Sequence, residues 1–165
     1  MPRFLVNLIF SIIFPTRLFG LKRWLFRIAG MRIGGGVKLN SECKVFGHGY
    51  VEIGADTWIG IGCEIHVPYP AKVVIGSRCD IAPRVLILCG SHLVGNHLRR
   101  AGLGTTEDIL VGAGVWIGAG AMLLPGAVLG DGIVVAAGSV VLRGNYPANS
   151  LLAGNPAFVQ KKYEN

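Results

Sequence analysis

The sequence predicts an all-β fold, a parallel β-helix of triangular coils, and three observations predict it. Aliphatic residues return every six positions, small residues hold a fixed place four positions later, and glycine is far more common than usual. The aliphatic series runs Ile33, Leu39, Val45; then Ile53, Ile59, Ile65; then Ile75, Ile81, Ile87; and finally Val111, Ile117, Leu123, Leu129, Val135, Val141. The small series includes Thr57, Cys63, Cys79, Ser91, Ala121, Ala127 and Ser139. Glycine supplies 25 of 165 residues without the collagen triplet, as a chain that turns often requires. A short fixed period marks a stacked-repeat architecture. Six residues make one short strand and a turn, with the aliphatic side chain inward and the small residue filling the corner beside it. Three repeats close one coil, and coils stack at a spacing of ~4.8 Å, burying a core that no single repeat could bury. The fifteen repeats make about five coils.

Taken in order, residues 1–32 form an apolar and basic segment of helical character. Residues 4–14 are apolar, but a run of about 11 is too short to span a bilayer, which takes about 20. No A-x-A-like cleavage site follows. Residues 17–28 then mix apolar and basic side chains at roughly helical spacing. Two readings stand side by side: an interfacial anchor on lipid, or a helix that caps the open end of the β-helix. Residues 33–146 form the β-helix, and 147–165 a C-terminal tail. The spacing from Val45 to Ile53 exceeds one repeat by two residues, from Ile65 to Ile75 by four, and from Ile87 to Val111 by eighteen. Each excess follows the third strand of a coil. One corner of the prism therefore carries every excursion, the largest a loop over 93–110. Function concentrates on loops held by a rigid scaffold.

The net charge of +7 is concentrated at Arg17, Lys22, Arg23, Arg27, Arg32 and Lys38. Such a patch suits a membrane surface or an anionic ligand. No nucleic-acid-binding motif accompanies it, so no nucleic-acid partner is expected. The four cysteines form no CxxC pair. Cys43, Cys63 and Cys79 take the small inward position and read as core fillers.

His92 is the candidate for chemistry. It follows Ser91, which the register turns inward, so His92 faces out where the chain leaves the prism. An imidazole titrates near neutral pH and suits a general base. Glu64 and Asp80 follow inward cysteines and face outward, and neither is expected on the third strand beside His92. Arg99 and Arg100 on the long loop could hold a carboxylate or phosphate of an acceptor. A salt-bridged or solvated loop is the equal alternative.

Several stretches resemble a known family. Val115-Trp116-Ile117-Gly118-Ala119-Gly120-Ala121, Leu124-Pro125-Gly126, Ala137-Gly138-Ser139-Val140-Val141 and Ala153-Gly154-Asn155-Pro156-Ala157 are similar to the hexapeptide-repeat acyltransferases, in the maltose and galactoside O-acetyltransferase branch. Asp56-Thr57-Trp58-Ile59-Gly60, Gly90-Ser91-His92 and Arg99-Arg100-Ala101-Gly102 look most similar to acetyltransferases of colanic-acid-type exopolysaccharide biosynthesis. The resemblance implies a left-handed β-helix, acetyl-CoA as donor, no required metal, and direct attack by a sugar hydroxyl with His92 as base. It places coenzyme contacts at Ala119, Ala137, Leu142, Arg143 and Lys161. It implies a homotrimer with sites at subunit interfaces and a sugar or lipid-linked saccharide as acceptor; a cytoplasmic enzyme is expected, and the basic, apolar residues 1–30, where they touch lipid, would hold it peripherally at the inner face of the membrane. Two departures stand out: Phe158 occupies a usually basic position, and Gly62 falls near the family's acceptor-site asparagine. Competing readings are an N-acetyltransferase on an amino sugar, a γ-carbonic-anhydrase-like zinc enzyme using His92, His97 and either His66 or His48, and a non-catalytic scaffold.

Overall fold

The computed structural model describes residues 1–11 and 16–164. Helices α1 (Arg3–Phe10) and α2 (Phe19–Ile28) precede a column of short strands. These strands stack in parallel into three faces. The first face holds Arg32–Ile33, Tyr50–Ile53, Lys72–Ile75, Ile109–Val111, Ala127–Leu129 and Gly144–Tyr146. The second holds Lys38–Leu39, Trp58–Ile59, Asp80–Ile81, Trp116–Ile117, Val134–Val135 and Ser150–Gly154. The third holds Lys44–Phe46, Glu64–His66, Leu86–Leu88, Met122–Leu123 and Val140–Val141. The result is a left-handed β-helix of about six turns.

The register is that of the repeat. Ile59 lies against Ile81, Ile81 against Ile117, Ile117 against Val135, and Val135 against Leu152. All are buried, so like positions form continuous apolar columns. Three residues after the inward aliphatic the chain turns through left-handed backbone, at Glu42, Asp56, Arg78, Arg84 and Gly62 among others. Gly62 is thus a turn glycine with φ +69°. One residue after the aliphatic, the next coil comes too close for a side chain. A Cβ on Gly118 would stand 2.5 Å from the Ala137 amide nitrogen.

The structure adds a sixth, incomplete coil to the five expected. Asn149 repeats the left-handed turn three residues after Tyr146, and Leu152 is fully buried beyond Val135. The expectation stopped at Val141 because the next step is five residues and lands on an aromatic. Strand Ala157–Lys162 then folds back antiparallel on Ser150–Gly154.

The other end of the core is closed by the helices. Val6, Phe10, Leu25 and Phe26 are buried, and the Phe10 and Phe26 rings meet edge to face at 4.7 Å. A β-helix end exposes a row of unpaired backbone groups, and helix side chains satisfy them here. Asn7 Nδ2 donates to the Val45 carbonyl at 3.0 Å, and the Val45 amide donates to Asn7 Oδ1 at 3.0 Å. Arg27 donates to the Ile33 carbonyl, Arg23 to Val37, and Arg3 to Gly47 and Gly49. Lys22 is buried over the Phe10 and Phe19 rings, and burial lowers its pKa. Gly30 ends α2: its amide bonds Arg27 and the Met31 amide bonds Phe26, a Schellman closure around a glycine at φ +86°. Residues 12–15, the end of the apolar run, lie outside the described residues. No described helix is long and apolar enough to cross a membrane.

Candidate functional site

All three excursions leave the prism between the third and first faces, as the spacing predicts. The largest is an ordered antiparallel hairpin rather than an irregular loop. Gly90–Val94 runs out and Ala101–Thr106 returns, with residues 95–100 as the tip.

His92 sits exposed on the outgoing strand, opposite Gly104. Nothing lies within 4 Å of where a Cβ on Gly104 would be, so the space beside the imidazole is open. No described residue hydrogen-bonds the ring. Ser91 is exposed and paired with Thr105, contrary to the inward placement expected from the register. The reason is that the chain leaves the prism earlier, at Cys89. That side chain takes the last inward place and is fully buried. Burial pushes the Cys89 thiol up to about 12 and Cys63 up to about 11, and it raises Cys43 and Cys79 as well. None of the four cysteines is disulfide-bonded.

Glu64 and Asp80 do not come together in the chain: they lie on different faces. Glu64 lies on the third face, in the strand paired with Leu86–Leu88, which leads directly into the hairpin. That corrects the expectation that set it off this face: Glu64 immediately precedes Ile65, the third aliphatic of its coil. Its carboxylate meets His66 Nε2 at 3.0 Å, and His66 stacks on Phe46 with centroids 4.6 Å apart. The spacing argument missed this Phe46–His66–Glu64 group, although alternation around inward Val45 and Ile65 points all three side chains outward. Asp80 is exposed on the second face between Trp58 and Trp116.

Arg99 and Arg100 are exposed at the hairpin tip. Arg100 Nη1 donates to the Gly95 carbonyl at 3.3 Å, while Asn96 Oδ1 accepts from the Leu98 and Arg99 amides. The tip is thereby held by its own polar groups.

Ala119 and Ala137 stack on successive coils at the corner between the second and third faces, the Gly138 amide donating to the Ala119 carbonyl at 2.9 Å. Both are exposed and carry only a methyl group, so an extended ligand can approach the backbone there. Leu142 and Arg143 lie across the third face from them, just beyond strand Val140–Val141. Arg143 Nη1 meets Glu107 Oε1 at 3.2 Å, and the Glu107 amide donates to the Cys89 carbonyl at 2.9 Å. This pair joins the hairpin root to the lower coils, beside a hollow of about 510 Å³ lined by Thr106, Glu107, Arg143 and Asn145. Lys161 is exposed on the returning C-terminal strand, its ammonium 5.4 Å from the Tyr163 ring. Phe158, three residues earlier, is exposed and brings no charge. A larger hollow, about 800 Å³, lies instead between α1 and the first coil. Among the described residues, no three His, Cys, Asp or Glu side chains gather as metal ligands.

Residues 108–143 match the family described as bacterial transferase hexapeptide (six repeats). No curated protein matches the chain. Among solved structures, a hexapeptide-repeat acetyltransferase of Vibrio cholerae complexed with acetyl coenzyme A superposes at TM-score 0.76 with 20% identity, over 99% of this chain and 86% of that one. A galactoside acetyltransferase in complex with coenzyme A gives 0.73 and 23%, over 96% and 77%. A polySia-specific acetyltransferase gives 0.69 and 29%, over 80% and 61%. The fold is that of these acetyltransferase structures, and residues 108–143 carry the bacterial transferase hexapeptide repeat.

Proposed function

We propose that the protein is an acyl-CoA-dependent acetyltransferase that acetylates a sugar hydroxyl, with His92 as general base. The observation that carries this reading is the placement of His92, exposed on the hairpin of a transferase-type β-helix with open space beside it. The acceptor oxygen attacks the thioester carbonyl carbon while His92 takes the hydroxyl proton. The tetrahedral intermediate then collapses, the C–S bond breaks, and the imidazolium returns the proton to the departing sulfur. No acyl-enzyme is needed. Cys89 is buried and its thiol is pushed up to about 12, so it is unsuited to carry the acyl group.

Ala119 and Ala137 fit the extended pantetheine arm of the donor because they leave backbone accessible, and Arg143 and Lys161 supply cations for its phosphates. Glu64, Asp80, Arg99 and Arg100 are assigned to the acceptor. Since no described residue of the same protomer orients His92, the reading includes a homotrimer whose neighbouring subunit completes the site. Relatives named for galactoside and polySia support a saccharide acceptor. A surface-polysaccharide sugar or its lipid-linked precursor fits best, which would place the enzyme at the inner face of a membrane.

The test is release of free coenzyme A from acetyl-CoA across a panel of sugars, amino sugars and oligosaccharides, for wild type and His92→Ala. The proposal expects hydroxyl-dependent release that falls by about 10²–10⁴ in the variant. Release only with amino acceptors would move the reading to N-acetylation. Absence of both release and coenzyme binding would end the enzyme reading.

A further inference from the structure

The excess charge and a set of exposed apolar side chains on both helices lie at the same end of the molecule. Of the sixteen Lys and Arg residues, seven precede Glu42, and no carboxylate does; the nine that follow are matched by nine carboxylates. All of the +7 therefore belongs to the first 41 residues, the helical cap and the first coil.

Both helices are apolar on two sides. α1 turns Val6 and Phe10 into the core and presents Phe4, Leu5 and Leu8 on its opposite side. α2 buries Lys22, Leu25 and Phe26 and presents Leu21, Trp24 and Ile28. Phe4 is 67% exposed, Leu8 59% and Trp24 55%. Because the inner faces already close the core, the outer faces are not needed for capping. A soluble surface rarely shows so many large apolar side chains together unless something covers them.

We propose that this end of the β-helix docks on a lipid bilayer bearing anionic headgroups. Phe4, Leu8, Leu21 and Trp24 enter the headgroup–acyl boundary, and Arg17, Arg23, Arg27 and Arg32 face the headgroups. Charge decides between a bilayer and a second copy of the chain. Two such caps brought face to face would repel, whereas anionic lipid neutralises them. The hollow of about 800 Å³ opens beside the same surface, with Phe4, Leu8 and Phe46 as apolar walls and Arg3, Lys44 and His48 around it. The docked orientation stands the prism on its capped end. This inference does not rest on acyl transfer and is tested without it.

The experiment is co-sedimentation of the full chain with vesicles of phosphatidylglycerol and phosphatidylcholine, and with vesicles of phosphatidylcholine alone, at low and high salt. The expected result is binding to the anionic vesicles, weakened by salt, with a blue shift of tryptophan emission that Trp24→Leu abolishes. Arg17→Glu should weaken binding about tenfold or more, from ~1 kcal/mol per basic residue at the surface. A Leu8→Glu, Trp24→Glu double variant should remain in the supernatant with its melting temperature kept, because both side chains point away from the core. Wild type that stays in the supernatant with anionic vesicles overturns the proposal. So does equal binding by the folded double variant, or lipid-independent pairing of caps seen by light scattering.

Discussion

Asn7 stands in for a missing strand, and replacing it with leucine tests how the β-helix end is sealed. Its side-chain amide makes both hydrogen bonds that a neighbouring strand would make to Val45, each at 3.0 Å and both buried. In Asn7→Leu the Val45 amide and carbonyl lose these partners together. An orphaned buried polar group costs about 1–3 kcal/mol. The added apolar side chain returns part of that, so the net loss should be about 2–4 kcal/mol. For a chain of this size such a loss lowers the melting temperature by about 5–15 °C. Denaturant unfolding gives the free energy, and amide exchange locates it. The Val45 amide should exchange far faster, while the amides of Ile117 and Val135, several coils away, change little, because coils in a solenoid couple mainly to their neighbours. A loss below about 0.5 kcal/mol, or faster exchange spread evenly over all coils, would refute the argument.

Other expectations follow from the same geometry. Arg143→Ala should raise the KM for acetyl-CoA about tenfold and leave kcat nearly unchanged in steady-state assays, since the residue is assigned to binding; its exposed ion pair with Glu107 contributes at most about 1 kcal/mol to stability. The cysteines should resist a thiol reagent at pH 8 in the native protein and react fully once unfolded, because burial holds Cys63 up to about 11 and Cys89 up to about 12. Those raised thiols also set an alkaline limit. The unfolded chain ionises its thiols near pH 8.5–9 while the folded one holds the protons, so the stability they contribute is full below that range and declines as pH rises toward 11–12. Melting temperature against pH, for wild type and Cys89→Ala, reads this out.

Much of the fold was legible because one physical rule repeats. Inward aliphatics at a spacing of six locate the strands, and the excess spacing after Val45, Ile65 and Ile87 locates the corner of every excursion. The rule failed where the chain stopped obeying it. Past Cys89 the chain is a hairpin with its own register, so counting six placed Ser91 in a core it never enters. Past Val141 a five-residue step and Tyr146 in place of an aliphatic hid the last coil. Of the candidate site, the corner that presents His92 could be read from spacing, whereas Ala119 and Ala137 are singled out only by the family resemblance. The Glu64–His66–Phe46 group needed the third-face register, and the Glu107–Arg143 pair joins residues 36 apart in sequence, which no local pattern reports. The cap was legible only as an apolar and basic segment. That Asn7 and the arginines pair with bare strand edges depends on how the helices cross the open end.

The most direct test of the account separates binding from chemistry at His92. Titration calorimetry with coenzyme A and single-turnover acetyl transfer would be measured side by side for wild type and His92→Asn, which keeps a side chain of similar shape without a base. The account predicts coenzyme affinity within about threefold of wild type and a transfer rate lower by about 10²–10⁴. Transfer at the wild-type rate with affinity unchanged would contradict it and remove His92 from the chemistry.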